Sequence, residues 1–334
     1  MKHLQTDYDF EQAKAEYRAF CENGNHDIQI FAQPWYLDAV CDSPEDWKVI
    51  LYKENDQIRA AFPFAYTKGK YGLWHIHNPW QAPRLGIWID YDQKTRLSAR
   101  EAYENKIVEE IVSKLPYYDV FHMAFAARFQ NWQQFYRMGF QQTSYYSYVI
   151  PSPEALLEKV PYAVRRKTNT LAKEYHVDTE LNLEEYWAFF EESYKKRNRR
   201  PAYSKAQFQA LYETAASRDA CCLIACKDAA DRIFSVACVF FDRQRVYSMF
   251  HTFDPSTKIS TQPLVTLYSI ALAKEKNLIF DFEGSMIPGV SNYYSLFDSE
   301  KEPYFIITHY SAKYRFLNGL REAVRALKEL VRGK

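Results

Sequence analysis

The sequence predicts an α/β protein of the α+β kind, in which two tandem lobes each hold a mixed, mostly antiparallel sheet flanked by helices. Three observations lead to this fold class. The 334 residues are about twice an average domain. Pro151 and Pro153 break the chain between a strand and a new helical pattern. The order of predicted strands and helices then repeats after that break. We therefore expect one domain at 1–151 and a second at 152–334.

The first half is predicted to contain helices, a strand pair and then an α-β-α-β run. The assignments follow from apolar residues at helical spacing and from alternating apolar residues in strands. They are helices near 9–21 and from Pro34, strands near 47–53 and 57–66, a loop-rich aromatic stretch at 71–90, a helix near 99–114, a strand near 118–125, a helix near 130–138 and a strand near 144–150.

The second half is predicted to begin with three helices and to continue as β-β-β-α-β-α-β before a C-terminal amphipathic helix. Thr261 and Pro263 open the fourth helix, where we expect the threonine hydroxyl to act as the cap. The elements are helices near 154–175, 183–197 and 204–216, strands Ala220–Cys226, Ile233–Phe241 and Arg245–Thr252, a helix to about Lys276, a strand Leu278–Phe282, a short helix near 290–297 and a strand Tyr304–Thr308.

Composition excludes several classes of protein. Aromatic residues make up 17% and apolar residues 47% of the chain, which excludes a disordered protein. The 43 basic and 42 acidic residues leave a net charge of +1, so DNA is not an expected partner. Only nine glycines occur, and neither GxGxxG nor the P-loop motif is present. The sequence therefore lacks the two common phosphate-binding loops.

Cysteine usage and hydropathy predict the cellular location of the chain. The six cysteines form no CxxC pair, and four of them lie in strand-like apolar stretches, which predicts reduced thiols and a cytoplasmic protein. The longest apolar run, Ile233–Phe241, is far shorter than the roughly 18 residues of a membrane span, so we predict no span. His75 and His77 share a strand face, but no third ligand accompanies them, and we predict no metal site.

Two segments of the second half carry a family resemblance. Arg165–Lys167 is followed by Leu171–Glu174, and the motif FDFEGS at Phe280–Ser285 is followed by Pro288–Val290. In these segments the chain resembles the FemAB-like branch of the GNAT acyltransferase superfamily, tandem enzymes related to the aminoacyltransferases that form peptidoglycan bridges. Supporting segments of the first half are Phe31–Leu37, Phe62-Pro63, Asn78-Pro79, Asn131–Gln142 and Tyr145–Ile150.

The sequence departs from this family in three places. Asp254–Ser260 stands where ordinary GNAT enzymes have the glycine-bearing loop that grips the pyrophosphate of acetyl-CoA. No charged heptad run marks the coiled-coil arm of some bridge-forming relatives. Val290–Tyr294 lacks the lysine that some users of aminoacyl-tRNA carry there. These departures leave the acyl donor open.

The resemblance implies that the second lobe is catalytic and the first degenerate. A GNAT-type sheet splays two strands so that freed backbone N–H groups stabilise the oxyanion. Here the splay would lie between the strand ending at His251 and the strand Leu278–Phe282. Asp281 and Glu283, two apart, are expected to share a strand face, so that one holds the attacking ammonium while the other, or His251, accepts its proton. The alternatives are a Glu283 that caps the following turn and a His251 that is satisfied within its strand.

Two further groups are candidate binding residues. Adjacent cations on a helix and hydroxyls before a helix N-terminus suit the phosphates of a donor, and the residues are Arg165, Arg166, Lys167, Lys258, Ser260 and Thr261. Glycines, aromatic rings and amides suit an acceptor cleft, and the residues are Gly284, Ser285, Tyr293, Tyr294, Asn78, Trp80 and Gln81. Solvated charge, a plain turn and aromatic core packing are the alternatives.

The expected activity is transfer of an acyl or aminoacyl group from an activated thioester or ester to an amine. The co-substrate is acyl-CoA, which the net charge favours, or aminoacyl-tRNA, whose RNA end would then be a partner; no tightly bound cofactor is expected. The acceptor is an amine of a small molecule, a peptide or a sugar. Two alternatives stay open: an aminoacyl-tRNA-dependent aminoacyltransferase of the peptidoglycan type, and a non-catalytic protein that binds a cell-envelope precursor or a nucleotide sugar.

Overall fold

A computed structural model of the protein describes residues 6–24, 26–91, 96–151, 160–257 and 259–332. The chain divides into two compact units. Unit 1 comprises Met1–Tyr145 and Tyr304–Lys334, and unit 2 comprises Tyr146–Pro303. Each unit is built on a mixed sheet with helices packed against it, which confirms the predicted fold class.

The helices and strands are numbered in chain order. The helices are α1 (Phe10–Asn23), α2 (Pro34–Val40), α3 (Leu97–Ser113), α4 (Trp132–Arg137), α5 (Tyr162–Leu171), α6 (Leu183–Lys196), α7 (Lys205–Ala216), α8 (Gln262–Glu275), α9 (Pro288–Ser295) and α10 (Ala312–Arg332). The strands are β1 (Trp47–Glu54), β2 (Gln57–Lys68), β3 (Trp74–His77), β4 (Trp88–Ile89), β5 (Val120–Ala124), β6 (Gln141–Ile150), β7 (Tyr175–Asp178), β8 (Cys221–Asp228), β9 (Ile233–Phe241), β10 (Arg245–Phe253), β11 (Ile279–Asp281) and β12 (Glu300–Tyr310).

The sheet of unit 1 has the strand order β1-β2-β3-β5-β12, and β4 also pairs with β2. The first three strands are antiparallel, β3 and β5 are parallel, and β5 is antiparallel to β12. Aromatic side chains fill the core because the strands alternate apolar residues inward. The ring of Phe62 stacks on Phe121 and Phe125, with centroids 6.3 and 5.9 Å apart.

The sheet of unit 2 has the strand order β6-β11-β10-β9-β8-β7. Its strands are antiparallel except for the parallel pair β10 and β11. The helix α8 packs against β8–β11, and α6 packs against β8–β10. Tyr186 of α6 stacks on Phe190 and on Phe208 of α7, with centroids 5.8 and 5.0 Å apart. These rings bury the inner faces of α6 and α7, as their apolar spacing predicts.

The two units repeat one order of elements. Three antiparallel strands, a long helix, a strand parallel to the third one and a short helix occur as β1-β2-β3-α3-β5-α4 and again as β8-β9-β10-α8-β11-α9. In each unit the last strand of this run also pairs with a strand from outside the run. In unit 1 β5 pairs with β12, and in unit 2 β11 pairs with β6. The compact units therefore differ from the domains 1–151 and 152–334, because proline marks where a strand ends and not which sheet it joins.

Several elements differ from the sequence prediction. The stretch 71–90, predicted as a loop, contains β3 and β4, and β7 begins at Tyr175, where a helix was expected. These strands of two to four residues are too short to show an alternating pattern. The described part of the helix predicted at 154–175 is α5. Thr261 is the N-cap of α8 but makes no capping bond, because its hydroxyl instead bonds Ser235 Oγ at 2.8 Å.

The structure also describes the cysteines and the length and polarity of the helices. All six cysteines are free thiols, and Cys226 and Cys238 are buried. Among the helices that the structure describes, none has both the length and the apolar character needed to cross a bilayer.

Candidate active site

The central strands of unit 2 separate beside the segment 281–285. The parallel pairing of β10 and β11 runs from Arg245 opposite Ile279 to Tyr247 opposite Asp281, where β11 ends. Strand β10 continues to Phe253 and, in the described residues, pairs only with β9 beyond this point. A register shift between Met249 and Thr252 bends it further. This divergence lies between the two strands that the sequence singles out.

A buried carboxylate holds the end of β11. Asp281 is fully buried, accepts bonds from Ser147 Oγ (2.5 Å) and the Glu283 backbone N–H (2.9 Å), and pairs with Arg245 Nη1 at 2.9 Å. Arg245 also forms a bidentate pair with Glu302, at 2.7 and 2.8 Å. Burial alone would lower the pKa of Arg245, but the charges of Glu302 and Asp281 raise it. Asp281 thus links β6, β10 and the backbone of Glu283.

The next two residues turn the chain sharply. Glu283 (φ +66°) and Gly284 (φ +72°) both have left-handed backbone conformations. A Cβ on Gly284 would lie 2.3 Å from the carbonyl oxygen of Tyr146, so only glycine fits beside β6. The expectation that Asp281 and Glu283 share a strand face is wrong, because the strand ends at Asp281 and the alternation stops there. Glu283 is half-buried at this turn.

The predicted cleft residues after Gly284 have defined contacts. The Ser285 hydroxyl accepts a bond from the Ile287 backbone N–H at 3.1 Å and so closes the turn. Tyr293 is half-buried, and its hydroxyl lies 2.8 Å from Thr266 Oγ1 of α8. Tyr294 is only 4% exposed and belongs to the core of unit 2, where its ring packs on Phe282. Its contact with a substrate stays a prediction.

Two tyrosines lie within the electrostatic reach of Glu283. Burial raises the pKa of Tyr294, and the negative charges of Glu283 and Asp281 raise it further. Burial likewise raises the pKa of Tyr247, with further contributions from Asp242, Asp281 and Glu283. Both phenols therefore stay protonated at neutral pH, and the Tyr247 hydroxyl donates to Asp242 Oδ2 at 3.0 Å.

His251 lies on β10, four residues beyond the last residue paired with β11. Its ring is half-buried, and its buried Nδ1 has no hydrogen-bond partner among the residues that the structure describes. Burial lowers the pKa of His251, so the ring is neutral at pH 7. Tyr186 donates to the Phe250 carbonyl, and Thr252 bonds Ser193, so α6 fixes this segment.

The cations of α5 lie on its solvent side. Arg165, Arg166 and Lys167 are exposed, whereas Val164 and Thr168 face the core. No ion pair of these cations occurs within the described ranges, so they do not compensate a carboxylate of unit 2, and their predicted contact with a phosphate stays a prediction. A shallow groove of about 430 Å³ lies between Arg166, Lys167 and their neighbours Tyr162, Ala163, Thr170 and Leu171.

The predicted hydroxyl site before α8 is only partly described. Ser260 is half-buried, and Thr261 is 1% exposed with its hydroxyl on Ser235. Lys258 lies outside the described residues. The helix α5 packs against α8, so the two predicted phosphate-binding groups belong to contacting helices.

The predicted cleft residues of unit 1 serve its own backbone. The Asn78 side chain donates to the Ala124 carbonyl (3.1 Å) and accepts from the Ala124 N–H (2.7 Å). Gln81 has φ +59°, and its carbonyl accepts from Tyr36 at 2.6 Å. Trp80 is half-buried. Among the described residues no group of three metal-binding side chains occurs, and both nitrogens of His77 are bonded to Thr67 and Asn78.

Sequence reasoning missed the partners of Asp281. Ser147 is 134 residues away, and no local pattern connects them. The signal that could have found Arg245 is its position as a cation at the start of an apolar strand. A charge in such a strand needs a counter-charge when it is buried. Arg245, Ser147 and Glu302 therefore enter the site only through the structure.

One family model matches part of the second half of the chain. Residues 158–286, less than half of the chain, match the family model described as an acetyltransferase (GNAT) domain. No curated protein matches the chain. The family match includes α5, the divergent strands and the whole FDFEGS motif.

Solved structures share the fold over most of the chain. FemX has a TM-score of 0.63 at 12% identity, over 87% of this chain and 95% of that one. The C-terminal domain of a putative lysylphosphatidylglycerol synthetase from Agrobacterium fabrum has a TM-score of 0.56 at 10% identity, over 93% and 96%. A tandem GNAT protein from the clavulanic acid biosynthesis pathway has a TM-score of 0.50 at 8% identity, over 91% and 96%. At these identities the likeness is one of fold.

Proposed function

The chain resembles the FemAB-like branch of the GNAT superfamily, and on this premise we propose that it transfers an acyl group from an acyl thioester to an amine. The family match and the shared fold support acyl or aminoacyl transfer as the class of reaction. The observation that carries the proposal is the divergence of β10 and β11 beside Glu283. Diverging strands expose backbone donors to a reacting carbonyl, which is the environment that acyl transfer requires.

The reaction exchanges one bond to the acyl carbon for another. The lone pair of the amine attacks the thioester carbonyl carbon, and the developing oxyanion is held by backbone N–H groups of the diverging strands. The C–N bond forms, the C–S bond breaks, and the proton that leaves the nitrogen passes to the Glu283 carboxylate. The released thiolate takes up a proton and departs as the thiol.

Within this reaction we assign different roles to the three predicted catalytic residues. Glu283 is half-buried at the turn and is the proposed proton acceptor. Asp281 is fully buried and bonded to three partners, so it is a positioning residue that holds the backbone of Glu283. His251 is neutral and its buried Nδ1 has no partner among the described residues, so we keep it as the second candidate for the proton.

We propose acyl-CoA as the donor and an amine of a small molecule, peptide or sugar as the acceptor. The phosphates of CoA need cations, and the exposed Arg165, Arg166 and Lys167 of α5 supply them without competing carboxylates. Backbone N–H groups at the N-terminus of α8 add to this attraction for anions. The free thiols support the proposed cytoplasmic location.

A thermal-shift panel tests the donor. The purified chain is heated with acetyl-CoA, longer acyl-CoAs, nucleotide-diphosphate sugars or aminoacyl-adenosine mimics, since a ligand that binds the native state raises Tm. We expect a shift with the CoA thioesters, reduced in the double variant Arg165→Gln, Arg166→Gln. A shift with aminoacyl mimics alone would favour an aminoacyl-tRNA donor, and a shift with nucleotide sugars alone would favour a binding protein.

Glu283→Gln tests the proton acceptor. Release of the free thiol is followed with an acyl-CoA from the panel and a series of amine acceptors. We expect turnover to fall about 100-fold or more while donor affinity stays within about twofold, as for loss of a general base. Glu275→Gln, at the exposed end of α8 in the same unit, is the matched control and should leave both unchanged. Equal losses of turnover and affinity in Glu283→Gln would contradict the role.

A further inference from the structure

The last helix of unit 1 carries an apolar stripe that the described residues leave uncovered. On α10, Phe316, Leu320, Val324 and Leu327 are 67%, 51%, 50% and 62% exposed. Their spacing of four, four and three residues places them on one side of the helix. Every residue from 321 to 329 is exposed, so this part of α10 extends from its unit without packing against it.

The first turn of α10 is firmly attached. Ser311, just before the helix, bonds Asp119 Oδ1 at 2.9 Å and accepts a bond from the Tyr314 N–H at 3.1 Å. Lys313 lies 3.7 Å from the same buried Asp119. The uncovered stripe is thus part of a helix whose base is fixed to the sheet of unit 1.

The charged residues of α10 are mostly basic. Between 312 and 329 the helix has five basic residues against two acidic ones, although the whole chain carries a net charge of only +1. At 100° per residue, Arg321 and Lys328 border the stripe, while Arg325 lies farther round, where it pairs with Glu329 at 3.2 Å. Two cations therefore lie along one edge of the apolar side chains.

We propose that α10 binds an anionic lipid surface, with its axis in the plane of the membrane. Apolar side chains on one side and Lys and Arg at the boundary match a helix that lies in the headgroup region. The stripe would enter the acyl boundary while Arg321 and Lys328 meet lipid phosphates. A crossing helix is excluded by the charged side, in agreement with the absence of a spanning helix among the described residues.

Charge favours this partner over a second copy of the chain. Antiparallel pairing of two α10 helices through their stripes would bring Arg321 and Lys328 of one copy close to the same cations of the other, which is unfavourable. Parallel pairing would set these cations against the other edge of the stripe, which carries no carboxylate to compensate them. An anionic membrane instead attracts each of these side chains. The proposal concerns a surface of unit 1 and does not depend on the acyl-transfer chemistry of unit 2.

Vesicle co-sedimentation of the full chain tests the proposal. The vesicles contain phosphatidylcholine alone or phosphatidylcholine and phosphatidylglycerol in equal parts. We expect binding to the anionic vesicles, weaker binding as salt is added, and little binding to phosphatidylcholine. Equal binding to both vesicles, or binding to neither, would overturn it.

Three variants separate the stripe from its charges. Leu320→Asn with Leu327→Asn should weaken anionic-vesicle binding at least tenfold, and Arg321→Gln with Lys328→Gln about fivefold per charge removed. Ala326→Asn places the same amide on the polar side and should bind like the wild type. All these positions are exposed, so circular dichroism should show unchanged folding. Sedimentation without vesicles measures self-association, and a dimer that Leu320→Asn with Leu327→Asn dissociates would assign the stripe to a second copy and overturn the proposal.

Discussion

The two units differ most in what lies beside their parallel strand pair. In unit 1 the chain fills the space after the pair: the Asn78 side chain bonds Ala124, and Leu85 bridges to Phe125, with Leu85 N–H on the Ala124 carbonyl at 2.9 Å. In unit 2 the pair ends at Asp281, and β10 continues with β9 alone among the described strands. One element order thus supports a closed strand pair and an open one.

This difference determines whether backbone donors beside the strand pair are used within the fold or are left for a substrate. In unit 1 the backbone groups at the end of β5 are used by the Asn78 side chain and by the Leu85 N–H. Backbone donors used in this way cannot stabilise an oxyanion. The comparison supports the proposal that the first lobe is degenerate and that chemistry belongs to the second.

Buried carboxylates stand at opposite ends of the corresponding strands. Asp119 precedes β5 and accepts bonds from the Trp74 N–H, the Tyr117 hydroxyl and the Ser311 hydroxyl. Asp281 ends β11 and bonds Arg245 and the N–H of Glu283. In unit 1 Asp119 is remote from the C-terminal end of β5, whereas in unit 2 Asp281 holds the turn that carries Glu283.

The largest expected effect on stability comes from removing the buried charge of Asp281 in unit 2. Asp281→Asn should lower the free energy of unfolding by about 3–4 kcal/mol, because Arg245 then keeps only one carboxylate in a buried site. Urea denaturation measures the change. Asp119→Asn in unit 1 is the matched variant and should cost less, since its ion-pair partner Lys313 is 3.7 Å away and half-exposed. An equal or larger loss in Asp119→Asn would contradict the comparison.

Gly284→Ala should follow, with a loss of about 2–3 kcal/mol. The new Cβ would meet the Tyr146 carbonyl and the left-handed backbone disfavours alanine. Gly289→Ala, at a helical position of α9 with open space around it, is the control and should be neutral or slightly stabilising. Thermal unfolding of the two variants under one condition compares them. A Gly284→Ala protein as stable as Gly289→Ala would mean that β6 does not confine this turn.

A smaller effect is expected from reopening the filled space of unit 1. Asn78→Ala removes two hydrogen bonds to Ala124 and should lower the free energy of unfolding by about 1–2 kcal/mol. Asn78→Asp keeps the acceptor for the Ala124 N–H and should lose less at neutral pH. Neither variant should change donor affinity in the thermal-shift panel. A loss of donor affinity would show that unit 1 takes part in binding.

The smallest effect concerns the pH dependence of stability. Burial lowers the pKa of His251, so below about pH 6.5 the unfolded chain binds a proton that the folded chain does not. Stability should therefore fall as the pH drops from 7 to 5. In His251→Gln this fall should be shallower, while the other histidines contribute equally to both proteins. Urea midpoints over this pH range measure the slopes, and identical slopes would mean that His251 is not confined as a neutral ring.

Sequence reasoning recovered the elements with strong periodicity and the family motif, but not the pairing of distant strands. Helices such as α6 and α8 and strands such as β9 carry long regular patterns and were placed within a few residues. The short strands β3, β4 and β7 carry no such pattern. The strands with which β6 and β12 pair are set by contacts between residues far apart in the chain, and no local spacing encodes such contacts.

The site was predictable in its motif and less so in its geometry. FDFEGS was identified as the central segment, and the structure gives each part a physical reason, from the buried Phe280 and Phe282 to the close approach of Gly284. The strand alternation assumed for Glu283 failed because a left-handed residue follows the strand. The partners of Asp281 could not be found, since Ser147 and Arg245 become neighbours only when three strands assemble.

The strand order also determines the order in which the two units can complete their sheets during synthesis. Unit 2 is one continuous stretch, Tyr146–Pro303, and all of it is synthesised before the segment from Tyr304 onward. Unit 1 begins the chain but needs β12, whose residues from Tyr304 onward come near its end. Unit 2 can therefore complete its sheet before unit 1, although the N-terminal part of a nascent chain usually folds first. The edge of β5 in unit 1 therefore stays open until the residues of β12 from Tyr304 onward have been synthesised.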